Sequence, residues 1–211
     1  MAPYTDFTML RYAITSRALY PGNEQEKQAA LLHEASRWID EGIDFIQLRE
    51  KDLPAATLAT LTRNLLENIA LAASPTRLLI NSRPDIALAT GAHGVHLTAS
   101  PNELSPTQIR DLFLSAGRPK PLITLSCHSL TEVHRARREQ ADAILYAPVF
   151  EKHLADGQNL PGQGLDQLRA ACIAATSIPI FALGAVTLQN TPECLAAGAA
   201  GVAGIRLFHR S

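Results

Sequence analysis

The chain of 211 residues is predicted to fold as one α/β domain, a compact (β/α)8 TIM barrel over residues 1–211. Eight strand-like apolar runs alternate with segments in which apolar residues recur at three- and four-residue spacing. The repeated strand–helix–strand order indicates a parallel sheet with right-handed crossovers. The strands follow one another about every 27 residues, which is close to the spacing of a compact barrel.

A short turn phrase is the second observation, because it recurs before four of the strands. In each copy a helix ends on glycine or a small residue, which permits the left-handed conformation of a helix C-terminus. The four copies are 41–44, 90–94, 140–142 and 197–201. Such repetition favours a barrel. An open doubly wound sheet is the alternative, and the lack of a Gly-x-Gly-x-x-Gly after the first strand disfavours it.

The individual elements follow from these patterns. Strands are predicted at 10–15, 45–48, 77–80, 95–98, 122–125, 143–146, 178–183 and 202–205. Helices are predicted at 24–41, 54–73, 84–90, 106–115, 130–140, 165–175 and 188–197. Pro54 stands near the start of its helix, where proline is well tolerated. Only residues 206–211 follow the eighth strand, so the last helix should be short or missing and a homodimer is expected to cover the exposed wall.

Composition excludes several classes of protein. Lys+Arg and Asp+Glu number 19 and 20, which disfavours a nucleic-acid binder. A mean hydropathy of +0.01 and 18% charged residues argue against disorder. No apolar run approaches the roughly 18–20 residues of a membrane span, and residues 1–6 lack the features of a signal peptide. The three cysteines are too scattered for a disulfide framework, so a cytoplasmic protein is expected.

The active site of such a barrel lies at the C-terminal ends of the strands. After the second strand, alternation is expected to place Gln47, Arg49 and Lys51 on one side, where the two cations would bind phosphate or carboxylate. The alternative is a solvated strand end with ordinary ion pairs and no binding role. Asn81 ends the third strand and can both donate and accept hydrogen bonds at the barrel mouth.

His128 follows the fifth strand and is a candidate general acid or base. The alternative is that it caps the next helix or packs under a loop. A nucleophile pair with Cys127 is disfavoured, because adjacent residues on a strand point to opposite sides. No cluster of His, Asp or Glu has convincing spacing for a metal site.

Three loops complete the predicted mouth. The glycine-bearing segment 151–164 is either a lid or a mobile loop without a catalytic part. Loops after the seventh and eighth strands of such barrels commonly bind phosphate through backbone N–H groups. Gly184, Gly204 and Ile205 are the candidates for this role, and Arg206 would add charge.

Five motifs, in the same order and spacing, make the chain resemble the thiamine phosphate synthase/TenI superfamily over essentially its full length. These are Phe45–Lys51, Leu79–Leu97, Ser126–Glu132, Ala147–Phe150 and Gly198–Ala203. The resemblance implies a (β/α)8 barrel that acts late in thiamin biosynthesis on a small phosphorylated thiazole.

The resemblance implies two possible enzymes. A synthase joins a pyrimidine methyl diphosphate to thiazole phosphate, releases pyrophosphate and uses Mg²⁺; Gln47, Arg49, Lys51 and Asn81 match its diphosphate-binding positions. However, Ser82 stands where the synthase has an Asp ligand, and no carboxylate occurs in 98–102 before Glu103. The segment that follows Phe150 departs from the synthase loop, and Arg206 replaces its usual Ser.

The second enzyme is a TenI-type tautomerase, which aromatises a thiazole carboxylate phosphate without metal or cofactor. His128 matches its catalytic His, whereas Lys51 stands where that enzyme often has Arg. The tautomerase is the favoured hypothesis. The alternatives are a synthase that recruits Glu103 or Asp156 for Mg²⁺, and a non-catalytic barrel that binds thiazole phosphate.

Overall fold

The fold is a closed parallel barrel, seen in a computed structural model that describes residues 9–98, 100, 102–153 and 159–210, with 152 and 153 described by backbone alone. Its strands are β1 (Leu10–Ile14), β2 (Phe45–Leu48), β3 (Arg77–Asn81), β4 (Gly94–Leu97), β5 (Leu122–Cys127), β6 (Ala143–Tyr146), β9 (Ile180–Ala182) and β10 (Gly201–Gly204). They pair in the order β1-β10-β9-β6-β5-β4-β3-β2, and β2 closes onto β1. The predicted (β/α)8 barrel is therefore confirmed.

Helices alternate with these strands around the outside. They are α1 (Glu24–Asp40), α2 (Ala55–Leu71), α3 (Pro84–Thr90), α4 (Pro106–Ser115), α5 (Leu130–Arg138), α6 (Gly164–Ala175) and α7 (Thr191–Ala196). Side-chain caps fix several helix starts: Asn23 and Glu26 form a capping box at α1, and Ser105 and Gln108 form one at α4. Gly91 ends α3 in the left-handed conformation that the repeated turn phrase predicted.

Two elements begin two or three residues later than the sequence indicated. Strand β9 begins at Ile180 instead of residue 178, because Pro179 has no N–H with which to join the ladder. Helix α7 begins at Thr191 instead of residue 188, because Thr187 and Asn190 exchange two hydrogen bonds in a turn before it. The exposed Leu188 lies in that turn.

The segment 151–164 contains structure that the sequence did not indicate. Two short strands, β7 (Lys152–His153) and β8 (Asn159–Leu160), pair antiparallel there. Residues 154–158 between them, and with them the candidate ligand Asp156, lie outside the described residues.

The barrel has an inner core and an outer core. Inside, the rings of Tyr12, Phe45 and Phe181 pack against one another with centroids 5.3–5.6 Å apart. Outside, aliphatic side chains fill the layer between the sheet and the helices. The aromatic trio fills the interior below the mouth, so no channel for a substrate is expected through the barrel.

The chain after β10 forms a tail over 205–210 in place of a last helix, as predicted from the few residues left after the strand. The tail packs on α1: Trp38 Nε1 and Arg37 Nη2 both donate to the Phe208 carbonyl, and the Arg210 guanidinium contacts Glu41 at 2.7 Å. The part of the wall next to α1 that a missing helix would expose is thus covered by the tail.

Within the described ranges, no helix has the length and apolar character needed to cross a membrane.

Candidate functional site

Polar side chains at the ends of β2 and β3 form a hydrogen-bonded row. Gln47 Nε2 donates to Asn81 Oδ1 at 2.8 Å, and Asn81 Nδ2 donates to Ser82 Oγ at 3.2 Å. Gln47 and Asn81 are both buried, and Gln47 Oε1 has no hydrogen-bond partner among the described residues. Two of the predicted binding residues are therefore adjacent.

Arg49 and Lys51 follow β2 but do not continue its alternation, because the strand ends at Leu48 and Lys51 lies in an exposed turn. The placement of all three side chains on one side of the strand therefore stays a prediction. The Arg49 guanidinium nevertheless acts on the barrel interior, since its charge contributes to the lowered pKa of His96. Neither side chain has an ion-pair partner among the described residues, so both cations are available to an anion.

A buried carboxylate, Glu50, holds this turn in place. It accepts hydrogen bonds from Thr15 Oγ1 at 2.7 Å, from the Arg17 backbone N–H and from Arg17 Nη1 at 3.0 Å. Thr15 Oγ1 in turn accepts from the Arg49 backbone N–H. Sequence reasoning missed this role; an acid between two cations was the visible signal, but only the fold brings Arg17 to it.

A cavity of about 290 Å³ lies beside the row at the ends of β2, β3 and β4. Its polar lining includes Lys51, Asn81, Ser82, Thr98 and Glu103. Thr98 Oγ1 donates to Glu103 Oε2 at 2.9 Å, whereas Glu103 Oε1 is buried without a hydrogen-bond partner in the described part of the chain. Glu103 is thus a carboxylate with a free oxygen beside the predicted diphosphate-binding residues.

The oxygen atoms that line this cavity can be compared with the ligands of the Mg²⁺ that a synthase requires. Among the described residues, no three His, Cys, Asp or Glu side chains cluster as a ready-made metal site. Mg²⁺ is, however, commonly held by one or two carboxylates together with substrate phosphate oxygens. Glu103 with its free oxygen, and the hydroxyls of Ser82 and Thr98, fit that kind of site.

His96 lies beneath the mouth and is buried between two hydroxyls. Its Nδ1 lies 2.8 Å from Thr124 Oγ1, and its Nε2 lies 3.0 Å from Ser126 Oγ. Burial, with a smaller effect of the Arg49 charge, lowers the pKa of His96 to about 3. Because the ring stays neutral and both nitrogens have partners, His96 supports the site rather than moving protons in it.

His128 lies at the end of β5, where its side chain is exposed. The Ala147 carbonyl lies 2.7 Å from His128 Nδ1, so Nδ1 must carry a proton that it donates. In the neutral ring this leaves the lone pair on Nε2, as a general base requires. Gln163 Nε2 also donates to the Ala147 carbonyl at 2.8 Å, which fixes that carbonyl from a second side.

The loops after β9 and β10 line a second cavity of about 340 Å³. All four residues predicted to bind phosphate there, Gly184, Gly204, Ile205 and Arg206, line it. Both glycines also have a packing role. A Cβ at Gly184 would lie 2.6 Å from Pro148, and one at Gly204 would lie 2.6 Å from the Leu207 side chain. Glycine is needed there for packing of the loops themselves.

The site therefore consists of three groups around the mouth. The cavity at β2–β4 and the cavity at β9–β10 lie on different sides, and His128 at β5–β6 lies between them in the strand order. The sequence predicted members of all three groups but not Glu50, His96 or Gln163.

Comparisons with known proteins identify the family of the chain. A family model described as thiamine monophosphate synthase matches residues 12–208. A putative thiamine-phosphate synthase of Geobacter sulfurreducens is 44% identical over 165 residues, which are 77% of this chain and 71% of that protein. Putative thiamine-phosphate synthase 2 of Aquifex aeolicus is 32% identical over 93% of this chain and 96% of its own.

A solved structure shows the same fold. The thiamine phosphate pyrophosphorylase of Pyrococcus furiosus superposes with a TM-score of 0.74 at 25% identity, covering 94% of this chain and 86% of that one. The barrel, the ordered motifs and the family match over residues 12–208 together establish that the chain belongs to the thiamine phosphate synthase/TenI family of thiamine biosynthesis.

Proposed function

We propose that the protein is a thiamine-phosphate synthase, which joins a pyrimidine methyl diphosphate to a thiazole phosphate and releases pyrophosphate. One observation carries the proposal: two separate cavities flank the mouth, each with an unpaired cation, Lys51 in one and Arg206 in the other. A reaction between two phosphorylated substrates needs two anion sites. The names of the relatives from Geobacter, Aquifex and Methanoculleus favour the same activity. The tautomerase that the sequence favoured thereby becomes the second candidate.

Each group has a defined task in this reaction. Lys51 and Arg49 bind the diphosphate through charge-assisted hydrogen bonds, and the amides of Gln47 and Asn81 orient it. Loop residues 184–186 and 204–206 hold the phosphate of the thiazole. The carbon–oxygen bond to the diphosphate breaks, pyrophosphate leaves with the electron pair, and the thiazole nitrogen forms the new carbon–nitrogen bond.

Mg²⁺ supplies charge neutralisation to a diphosphate leaving group when it is bound. Glu103 is the residue that would hold it, with oxygen atoms of Ser82 and Thr98 beside it. Glu103 is suited to this role because, within the described ranges, one of its carboxylate oxygens is buried without a hydrogen-bond partner.

The test measures pyrophosphate release from the two substrates as Mg²⁺ is titrated. We expect turnover in the wild type, and Glu103→Gln should lower it about 100-fold and raise the Mg²⁺ concentration needed for half-maximal rate. Asp111→Asn, which removes an exposed acid of α4, is the matched control and should change neither. Absence of pyrophosphate at every Mg²⁺ concentration would overturn the proposal.

The second candidate is a thiazole tautomerase, and the orientation of His128 favours it. With Nδ1–H bound to Ala147, Nε2 is free to take a proton from carbon and return it to another position. Arg49 or Lys51 would hold the carboxylate, and the cavity at β9–β10 would hold the phosphate.

Conversion of the thiazole carboxylate phosphate to its aromatic tautomer, followed by ultraviolet absorbance, tests this candidate. If it is correct, His128→Asn lowers turnover about 10²–10⁴-fold, whereas His134→Asn on the exposed face of α5 leaves it unchanged. Equal turnover of the His128 variant and the wild type would remove His128 from the mechanism. Tight binding of thiazole phosphate without turnover of either substrate set would indicate the non-catalytic barrel instead.

A further inference from the structure

A cavity of about 530 Å³ lies at the N-terminal ends of β3, β4 and β5, at the end of the barrel opposite the mouth. It is larger than the mouth cavities of about 290 and 340 Å³. Three segments form it. They are the start of β3 at Arg77, the turn at 91–93, and the end of α4 with the following segment to Leu122. None of its lining residues belongs to the site proposed above.

The charges that line this cavity are all positive. Arg77, Arg118 and Lys120 are exposed, and within the described ranges none makes a side-chain hydrogen bond or ion pair. No carboxylate is among the lining residues. Arg110, by contrast, bonds to the carbonyls of Glu139 and Gln140 and to Asp142. Three unpaired cations around one cavity create a positive potential that favours an anion.

His93 adds an oriented neutral donor to the same cavity. Its Nδ1 accepts the Leu78 backbone N–H at 3.0 Å, so the ring proton is on Nε2. Burial, and to a smaller extent the charge of Arg77, lowers the pKa of His93 and keeps the ring neutral. The backbone of His93 is fixed as well, because its N–H donates to Leu78 and its carbonyl accepts from Leu122.

The rest of the lining is apolar. Phe113 and Ala92 are buried, and Pro119 and Leu122 complete the wall. An inorganic anion would leave these surfaces without a contact, whereas a ligand with a ring or another apolar body would cover them. A few directed donors among apolar walls are typical of a small-molecule site.

From these observations we propose that the N-terminal face of the barrel binds a small organic phosphate. Its phosphoryl group is held by Arg77, Arg118, Lys120 and the Nε2–H of His93, and its apolar body packs on Phe113 and Pro119. The site is separate from the substrate cavities, since Arg77 and Asn81 stand at opposite ends of the same strand. Binding there leaves the mouth open to substrate, and the inference is independent of which reaction the mouth catalyses.

The test follows backbone amide resonances of ¹⁵N-labelled full-length protein during titration with phenyl phosphate. We expect saturable shifts at Gly91 and His93, reported separately from any shifts at Gly184 and Gly204 in the mouth. The double variant Arg77→Gln/Arg118→Gln should weaken the response at Gly91 and His93 at least tenfold. The control Arg63→Gln/Arg138→Gln removes two exposed arginines elsewhere and should leave it unchanged.

A second titration, with inorganic phosphate, tests the apolar part of the assignment. Phenyl phosphate should bind at least several-fold more tightly at Gly91 and His93, and equal affinities would overturn the assignment of an organic ligand. Shifts confined to Gly184 and Gly204, or equal weakening in both double variants, would overturn the site itself. Thermal unfolding of each variant verifies that it is folded, which the exposure of all four arginines leads us to expect.

Discussion

At the scale of single residues, the barrel interior is unusual in holding a neutral histidine below a positively charged mouth. His96 bonds through both ring nitrogens to Thr124 and Ser126, and Tyr12 Oη lies 3.1 Å from Thr124 Oγ1. A proton on both ring nitrogens would require both hydroxyls to accept, and the resulting charge would be buried near Arg49. The lowered pKa of His96 follows from this position.

The free energy of unfolding should depend on pH because of this buried imidazole. The unfolded chain protonates His96 near pH 6.5, and the folded chain does so only near pH 3, so the unfolded state binds more protons between these values. The free energy of unfolding therefore falls as pH falls through this window. In His96→Gln that slope should be smaller by up to about 1.4 kcal/mol per pH unit.

Urea denaturation at several pH values between 4 and 7 measures how the free energy of unfolding changes with pH. A loss of stability that is the same at every pH does not affect this slope. His134→Gln removes an exposed imidazole and serves as the control. A slope in His96→Gln equal to that of the wild type would contradict the buried neutral ring.

At the scale of elements, a clamp between the ends of β1 and β2 positions the anion-binding turn. Glu50 bonds to Thr15 and Arg17, and Arg17 also contacts Asp52 and Glu24. Arg49 and Lys51 lie on either side of Glu50 in the chain, so the conformation of both depends on this one buried carboxylate. We assign Glu50 as a positioning residue, because both of its carboxylate oxygens accept hydrogen bonds from Thr15 or Arg17.

Glu50→Gln should lower the free energy of unfolding by about 2 kcal/mol, because charge-assisted bonds to Arg17 are lost inside the protein. It should also raise KM for the diphosphate substrate more than it lowers kcat, since Arg49 and Lys51 are then less well ordered. Asp52→Asn removes the exposed partner of Arg17 and is the control, with a smaller loss of stability. If kcat falls while KM is unchanged, Glu50 does more than position the turn.

The strands and helices also show how accurately sequence patterns predict the bounds of an element. Predicted strand and helix positions agree with the structure to within about three residues, because each element alternates apolar positions with its own period. The largest differences in where an element begins arise at Pro179, which lacks an N–H, and at the Thr187–Asn190 turn, where local hydrogen bonds override the pattern. The antiparallel pair β7–β8 was not predicted, because strands of two residues have no period to detect.

At the scale of the whole molecule, the tail at 205–210 takes over part of the role of the missing helix. It joins the cavity at β9–β10 to α1, since Arg206 lines the cavity and Phe208 and Arg210 bond to α1. The rest of the outer surface carries large exposed apolar side chains, including Leu114 and Ile173. We therefore retain the proposal of a homodimer, now resting on these side chains instead of on an open wall beside α1.

Light scattering coupled to gel filtration at micromolar concentration tests the dimer. We expect about twice the chain mass of 22.8 kDa. A double variant, Leu114→Ser/Ile173→Ser, removes two of the exposed apolar side chains and should shift the mass toward the monomer if either lies in the interface. A monomeric mass for the wild type would contradict the proposal.

The amino-acid sequence by itself determined the barrel, the number of its strands and the residues at their C-terminal ends. These properties depend on local periodicity and on motifs that lie together in the chain. Gln47, Arg49, Lys51, Asn81 and His128 could be selected in this way, because strand ends were predicted before any contact was known.

Only the tertiary structure decided how these residues are used. Closure of the barrel brings Glu50 to Arg17, Ala147 to His128, and Arg77 to Arg118, pairs that are 19–41 residues apart in the chain. It also forms the separate cavities at β2–β4 and β9–β10 around the mouth and the larger one at the opposite end. The physical reason is that pairing, burial and orientation depend on distances in space, which a pattern along the chain does not contain.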